Sequence, residues 1–246
     1  MSLLQTVDLC RSFGEIRAVD QLSMTVRSAV MTGFVGANGA GKTTTMRMVV
    51  GVLEPTSGQV LWDGHSITTR VRRQIGYMPE ERGLYLKQPV IDQLVYLGTL
   101  KGYTTNRVRV QVMEYLERFG LADRAKDKLT ELSLGNQQRA QIAAALVHDP
   151  EVLILDEPFS GLDPLAVDVV ADLVPHLRAV VLGLAGGQQP RHQPRGLVRS
   201  IGLVESPVRL RRVAKPARWR RRRLGERNRG LIAAIGPEAL VLAIRQ

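Results

Sequence analysis

The stretch Gly36-Ala37-Asn38-Gly39-Ala40-Gly41-Lys42-Thr43-Thr44 constrains the fold of this 246-residue chain more than any other. Two glycines with four residues between them, followed by Lys and a hydroxyl residue, fit a phosphate-cradling loop. The flanks fit as well: residues 30–35 read as a strand entering the loop, and residues 43–53 as the helix leaving it. The glycines let backbone N–H groups turn inward around phosphate oxygens with no Cβ in the way. The helix N-terminus adds its partial positive charge at the same point. Lys42 is then expected to reach the β- and γ-phosphates of a nucleotide, and the Thr43 hydroxyl to ligate Mg²⁺.

The rest of the chain supplies strands and helices in an order that suits such a loop. Residues 3–9 and 22–26 alternate as half-buried strands do, with Phe13-Gly14 turning between them. Phe13 fits either ordinary core packing or a platform beneath an adenine ring. Residues 54–58 are a dense turn signal. Residues 60–62 read as a strand closed by the Asp63-Gly64 hairpin turn. Residues 75–79 read as a short strand that delivers Glu80 and Glu81. Over residues 86–131 the pattern becomes helical, with helices over 90–100 and 107–119, as in an insertion between halves of an α/β core. Leu132-Ser133-Leu134-Gly135-Asn136-Gln137-Gln138 then precedes a helix over 139–148, which Asp149-Pro150 stops.

Four consecutive aliphatics at 152–155 have the character of a strand buried on both faces of a parallel sheet. The run ends in Asp156-Glu157-Pro158, with Ser160-Gly161-Leu162-Asp163-Pro164 just beyond. Asp156 at a strand end can hold Mg²⁺ through water beside Thr43. Glu157 can sit near a γ-phosphate and polarise an attacking water.

Charge is distributed unevenly. Residues 1–174 hold 18 Lys/Arg against 20 Asp/Glu, a net of −2, whereas residues 175–230 hold 15 against two, a net of +13. The overall +11 therefore belongs to one late block and says nothing about the phosphate loop. Cys10 is the single cysteine, which excludes an internal disulfide and fits a reducing compartment. The first twenty residues lack the apolar core of a signal peptide, and no run of about eighteen apolar residues is present to span a bilayer.

With these pieces in order, residues 1–174 resemble the nucleotide-binding subunits of ABC transporters. The resemblance rests on GANGAGKTT, on LSLGNQQ ahead of a helix, on LILDEP beyond that helix and on SGLD after it. YMPEERGLY and the NQQ of the signature look most like the ATPases of the ABC-2 exporter group. The resemblance implies an α/β fold: a P-loop NTPase (RecA-like) core, an antiparallel β subdomain and a helical subdomain at about 86–131. It implies ATP and Mg²⁺ as cofactors, with Glu157 as general base and Thr43, Glu80 and Asp156 around the metal. Nucleotide contacts are expected from Phe13, Gly36, Ala37, Asn38, Gly39, Ala40, Gly41, Lys42, Thr43 and Thr44.

Ser133, Gly135 and Gln137 would meet the ATP of a second nucleotide-binding subunit, identical or not, with Asp163 at that interface. An N-cap role alone also accounts for Ser133. A membrane permease would dock on residues 82–100, holding the chain at the cytoplasmic face of the cell membrane, and ATP-driven closure would move the partner. Glu80 is a departure, since most members of the family carry Gln there.

The resemblance weakens after Pro164. Residues 165–174 fit the next helix, but Pro175 breaks it. The following strand and the histidine that contacts the γ-phosphate are expected where 186–194, a Gly/Gln/Pro/Arg stretch, now stands. Spacing puts that histidine near Gln189, and His192 is three places late. Residues 201–205 again look like a strand of the family. Two Arg/Pro/Gly-rich stretches around one correct segment have the composition of a partly restored reading-frame slip, so 175–246 is expected to be an atypical, frame-shifted or disordered region. The alternative function is a protein that binds ATP but is defective in hydrolysis or coupling. The block at 220–223 beside Trp219 lacks any nucleic-acid-binding motif, so no specific nucleic acid is expected.

Overall fold

A computed structural model describes residues 2–28, 31–81, 83–158, 179–185 and 202–206. Two long strands, β1 (Ser2–Phe13) and β2 (Ile16–Arg27), form an antiparallel hairpin whose far edge is β4 (Ser57–Trp62) followed by the short β5 (His65–Ser66), giving the order β2-β1-β4-β5. The Asp63-Gly64 turn has positive φ at both residues, 48° and 83°, which matches the right-handed twist of the strands it joins.

The second sheet has the order β6-β7-β8-β3-β9: β6 (Ile75–Met78), β7 (Val152–Asp156), β8 (Ala179–Ala185), β3 (Met31–Gly36) and β9 (Gly202–Ser206). The first four strands run parallel, and β9 adds antiparallel to β3. The α/β architecture expected from the sequence is thus present. Two of the five strands of this sheet, β8 and β9, come from beyond residue 174. The missing strand expected at 186–194 lies earlier, at β8, where the apolar run 179–184 supplies it.

Helix α1 (Lys42–Val50) leaves the phosphate loop and is shorter than the sequence suggests. Gly51, at φ 81°, closes it by donating its N–H back to the Arg47 and Met48 carbonyls, a left-handed cap that residue 51 supplies without Cβ strain. After the single-turn α2 (Thr69–Arg72) come α3 (Val90–Leu100), α4 (Thr105–Arg118) and α5 (Leu134–Leu146).

Strand β7 explains how these parts hold together. All five of its residues are buried, and alternate side chains enter different cores. Val152 and Ile154 join Phe34, Met46, Met48 and Trp62 beneath the antiparallel sheet. Leu153 and Leu155 join Leu94, Val112, Leu116 and Ile142 of the helical layer. The helices at 90–118 therefore share one apolar core with α5 and β7 rather than enclosing one of their own.

Candidate functional site

The phosphate loop joins β3 to α1, and its shape depends on Gly39 and Gly41, both with positive φ. At Gly41 a Cβ would lie 2.4 Å from the Ala18 carbonyl oxygen, so glycine also lets the loop rest on β2. The Lys42 ammonium is buried within the loop. It donates to the carbonyls of Gly36 (2.7 Å) and Ala37 (3.3 Å) and lies 3.7 Å from Glu157 Oε1. Glu157 has φ 51°, an unusual backbone for a residue with a side chain, and its N–H donates to the Gly183 carbonyl at 3.0 Å. Non-glycine residues in this region tend to occur where function fixes a side chain's direction.

Asp156 ends β7. Strand order puts β8 between β7 and the loop-bearing β3, a spacing of roughly 10 Å across two strand intervals. Gly183 of β8 pairs with Asp156 on one side and Phe34 on the other. A Cβ on Gly183 would stand 2.8 Å from Asp156 Oδ1 and 2.7 Å from Met46 Cε. The absent side chain thus leaves room for the carboxylate to face α1 and the Thr43 hydroxyl.

The Asp156 carboxylate is fully buried, and neither oxygen completes a hydrogen bond. Burial raises its pKa above the ordinary carboxylate value, and the Glu80 charge adds to that. The Thr43 hydroxyl, then Lys42 and Arg47, draw it back. Thr43 Oγ1 also donates to Glu80 Oε2 at 3.5 Å. A hydroxyl, a buried carboxylate without hydrogen bonds and an exposed carboxylate converge here. These are hard oxygen donors of the kind Mg²⁺ takes, too few to enclose it, as suits a cation shared with phosphate. Among the described residues no group of three or more His, Cys, Asp or Glu forms a self-sufficient metal cage.

Three residues of this neighbourhood escape the sequence reading. Arg47, one turn beyond Thr43 on α1, lies 3.8 Å from Glu81 Oε1 and beside the Tyr77 hydroxyl. Burial raises the Tyr77 pKa, Asp156 reinforces the effect, and Arg47 opposes it. The i, i+4 spacing of Thr43 and Arg47 is the signal that places both on one face of the helix. For Gly183 the signal is a lone glycine inside an apolar strand.

Ser133 is the N-cap of α5, its Oγ accepting from the Asn136 N–H at 3.3 Å. The helix begins two residues before Asn136. Ser133 is exposed, Gly135 half-buried, and Leu134 beside them is 66% exposed. Gln137 departs from expectation. Its side chain is buried and its Nε2 donates to the Leu132 carbonyl at 2.9 Å, so it braces its own turn and does not face outward. Phe13 is half-exposed at the end of β1. Asp163, Gln189, His192 and the 220–223 block lie outside the described residues.

A groove of about 370 Å³ opens between the β6 end of the sheet and the helical layer, lined by Pro79, Gly83, Leu84, Leu97, Leu100 and His148 among others. His148 makes a 3.3 Å hydrogen bond through Nε2 to the Ile75 carbonyl, and burial, with Lys101 nearby, lowers its pKa to about 4. Among the described residues no helix is long and apolar enough to cross a membrane.

A profile described as "ABC transporter" matches residues 19–160. The chain is 47% identical over 174 residues to an uncharacterised ABC transporter ATP-binding protein, YhaQ, of Bacillus subtilis, covering 70% of this chain and 58% of that protein. It is 36% identical over 191 residues to the lipopolysaccharide export system ATP-binding protein LptB of Haemophilus influenzae, covering 75% of this chain and 79% of LptB. A solved ATP-binding subunit of an ABC transporter superposes with a TM-score of 0.67 at 27% identity, over 75% of this chain and 80% of that one. The chain spans between half and two-thirds of the length of the curated relatives it first matches.

Proposed function

This chain belongs to the ABC transporter family, among its ATP-binding subunits, and from that premise we propose that it hydrolyses ATP to drive export through a separate membrane permease. The observation that carries this reading is the buried Asp156 carboxylate. It sits beside the Thr43 hydroxyl with neither oxygen in full hydrogen-bond geometry, next to a loop whose lysine meets Glu157. Leaving a charge so placed is costly unless the site takes a cation.

Bound with ATP, Mg²⁺ would neutralise charge on the β- and γ-phosphate oxygens, with Thr43, Asp156 and Glu80 as the residues to hold it. The loop N–H groups and Lys42 bind and orient the phosphates. Glu157, held by its backbone bond to Gly183, accepts the proton of the attacking water. Glu80 does the orienting work of the usual amide as an acceptor. Its extra negative charge is offset by Arg47, which also lies near Asp156.

Two surfaces support the partners. The exposed Ser133 and Leu134 at the start of α5 suit a head-to-tail second subunit, where a hydroxyl and a helix N-terminus meet that subunit's γ-phosphate. The groove beside α3, with Tyr85 and Tyr96 exposed nearby, suits a short helix of the permease. In this reading the chain works at the cytoplasmic face of the membrane, and residues 86–131 are its helical subdomain. The name of LptB, an export-system protein, supports the outward direction, as does the resemblance to the ABC-2 group. Of the two elements whose absence favoured a non-hydrolysing protein, the strand is present as β8.

The test is steady-state phosphate release by the purified chain. Turnover is expected with Mg²⁺ and ATP, abolished by chelation and by Lys42→Ala. Equal rates in Lys42→Ala and the unaltered chain would overturn the proposal.

A further inference from the structure

Arg11 and Phe13 stand two apart on β1 and therefore on one face of the strand. The Arg11 guanidinium lies over the Phe13 ring, with Cζ 4.6 Å from the centroid. That guanidinium is itself fixed, because Nη1 donates to the Glu54 carbonyl at 2.9 Å. Two more bonds stitch the same strand end to the turn that follows α1. Ser12 N–H donates to Thr56 Oγ1 (3.1 Å), and Thr56 N–H donates to the Cys10 carbonyl (2.8 Å). Phe13 nevertheless remains 48% exposed. The strand end is also close to the phosphate loop: Phe13 pairs with Ile16, and Gly41 approaches Ala18 two residues further along β2.

We propose that Arg11 is a positioning residue for the nucleobase: it covers one face of Phe13, fixes the plane of the ring and leaves the other face for a purine to stack on. The inference rests on the reading of Phe13 as the base platform. An exposed Phe on a strand end can turn about χ1 and χ2, and each rotamer other than the productive one lowers the effective affinity for the base. A guanidinium anchored to a backbone carbonyl prefers the ring parallel to its own plane, so it selects one rotamer. Arg11 touches no phosphate in this scheme and acts only on the base end of the ligand.

The experiment measures dissociation constants of Mg·ATP and of Mg·tripolyphosphate, which has no base, for the unaltered chain, Phe13→Ala, Arg11→Ala and Arg11→Lys. Arg11→Ala is expected to weaken ATP about two- to five-fold, with tripolyphosphate unchanged and Arg11→Lys in between. Phe13→Ala is expected to weaken ATP about tenfold, again without effect on tripolyphosphate. If Phe13→Ala weakens ATP and Arg11→Ala does not, the platform stands and the role of Arg11 is refuted. If neither variant changes ATP binding, the platform reading falls with it. Equal loss for both ligands in Arg11→Ala would mean damage to the phosphate loop, which also refutes the inference.

Discussion

At the scale of single residues, Asp156 has a conflict built into it: a carboxylate is kept inside the sheet with neither oxygen hydrogen-bonded. Removing its charge should therefore help the fold while weakening the Mg²⁺ site proposed there. For Asp156→Asn the melting temperature of the nucleotide-free chain is expected to rise by about 2–4 °C, on the order of 1 kcal/mol for a chain of this size. The further rise that Mg·ATP gives the unaltered chain is expected to vanish, as thermal denaturation with and without ligand would reveal. An Asn variant that melts lower and still gains from Mg·ATP would contradict this account of Asp156.

The grouping of Lys42, Thr43, Asp156 and Glu157 around one loop was legible in the sequence because each is tied to a local pattern, a glycine loop or the end of an aliphatic run. For Gln137 the chain pattern gives a place at a helix start but does not say which side of the turn its amide seeks, and in the fold it donates to the Leu132 carbonyl. The positive φ of Glu157 was invisible, since it accompanies a bond to the Gly183 carbonyl of a strand distant in sequence.

At the scale of elements, β8 sets the geometry of the site. It separates the two strands that carry the phosphate loop and Asp156, and Gly183 is what lets a carboxylate reach past it. Gly183→Ala is expected to cost about 1–3 kcal/mol by overpacking and to weaken cation-dependent ATP binding. Met46→Ala removes one of the two obstructing atoms, so the double variant is expected to lose less stability than the sum of the two single losses. Chemical denaturation of the single and double variants checks both statements. The sequence revealed β3, β6 and β7 through apolar runs flanked by turns. It concealed β8, because the run at 179–184 is short and the unusual composition after it drew the expected strand downstream.

The junction of α5 with β6 depends on His148. Its pKa of about 4 lies below the ordinary 6.5, first because of burial and then through Lys101, with the Ile75 carbonyl and Asp149 acting in the opposite direction. The folded chain thus holds this ring neutral while the unfolded chain takes up a proton below pH 6.5. Its stabilising contribution is complete above pH 6.5 and is lost as the pH falls toward 4, a change of about 3 kcal/mol over that window. In His148→Gln, which keeps a donor for Ile75, the denaturation midpoint is expected to fall less steeply over the same interval.

At the scale of the whole molecule, one surface carries phosphate-binding chemistry and another carries an unmatched helix start with Leu134 exposed. The head-to-tail pairing proposed above would bring the two surfaces of two subunits together. Composition becomes informative only once the charge is located, since a net of +11 read globally suggests nucleic acid and read locally leaves the first 174 residues slightly acidic. What one chain's sequence could not supply is the relation between subunits, because the residues of a shared site need not be near one another in the same copy.

The decisive measurement is made on Glu157→Gln, comparing ATP affinity, ATP-dependent association and phosphate release with those of the unaltered chain. The account predicts ATP binding within about twofold of the original and a subunit pair that persists in ATP. It predicts phosphate release slowed by at least about a hundredfold, the order expected on removing a positioned base. Phosphate release close to that of the unaltered chain, with ATP bound equally well, would contradict it.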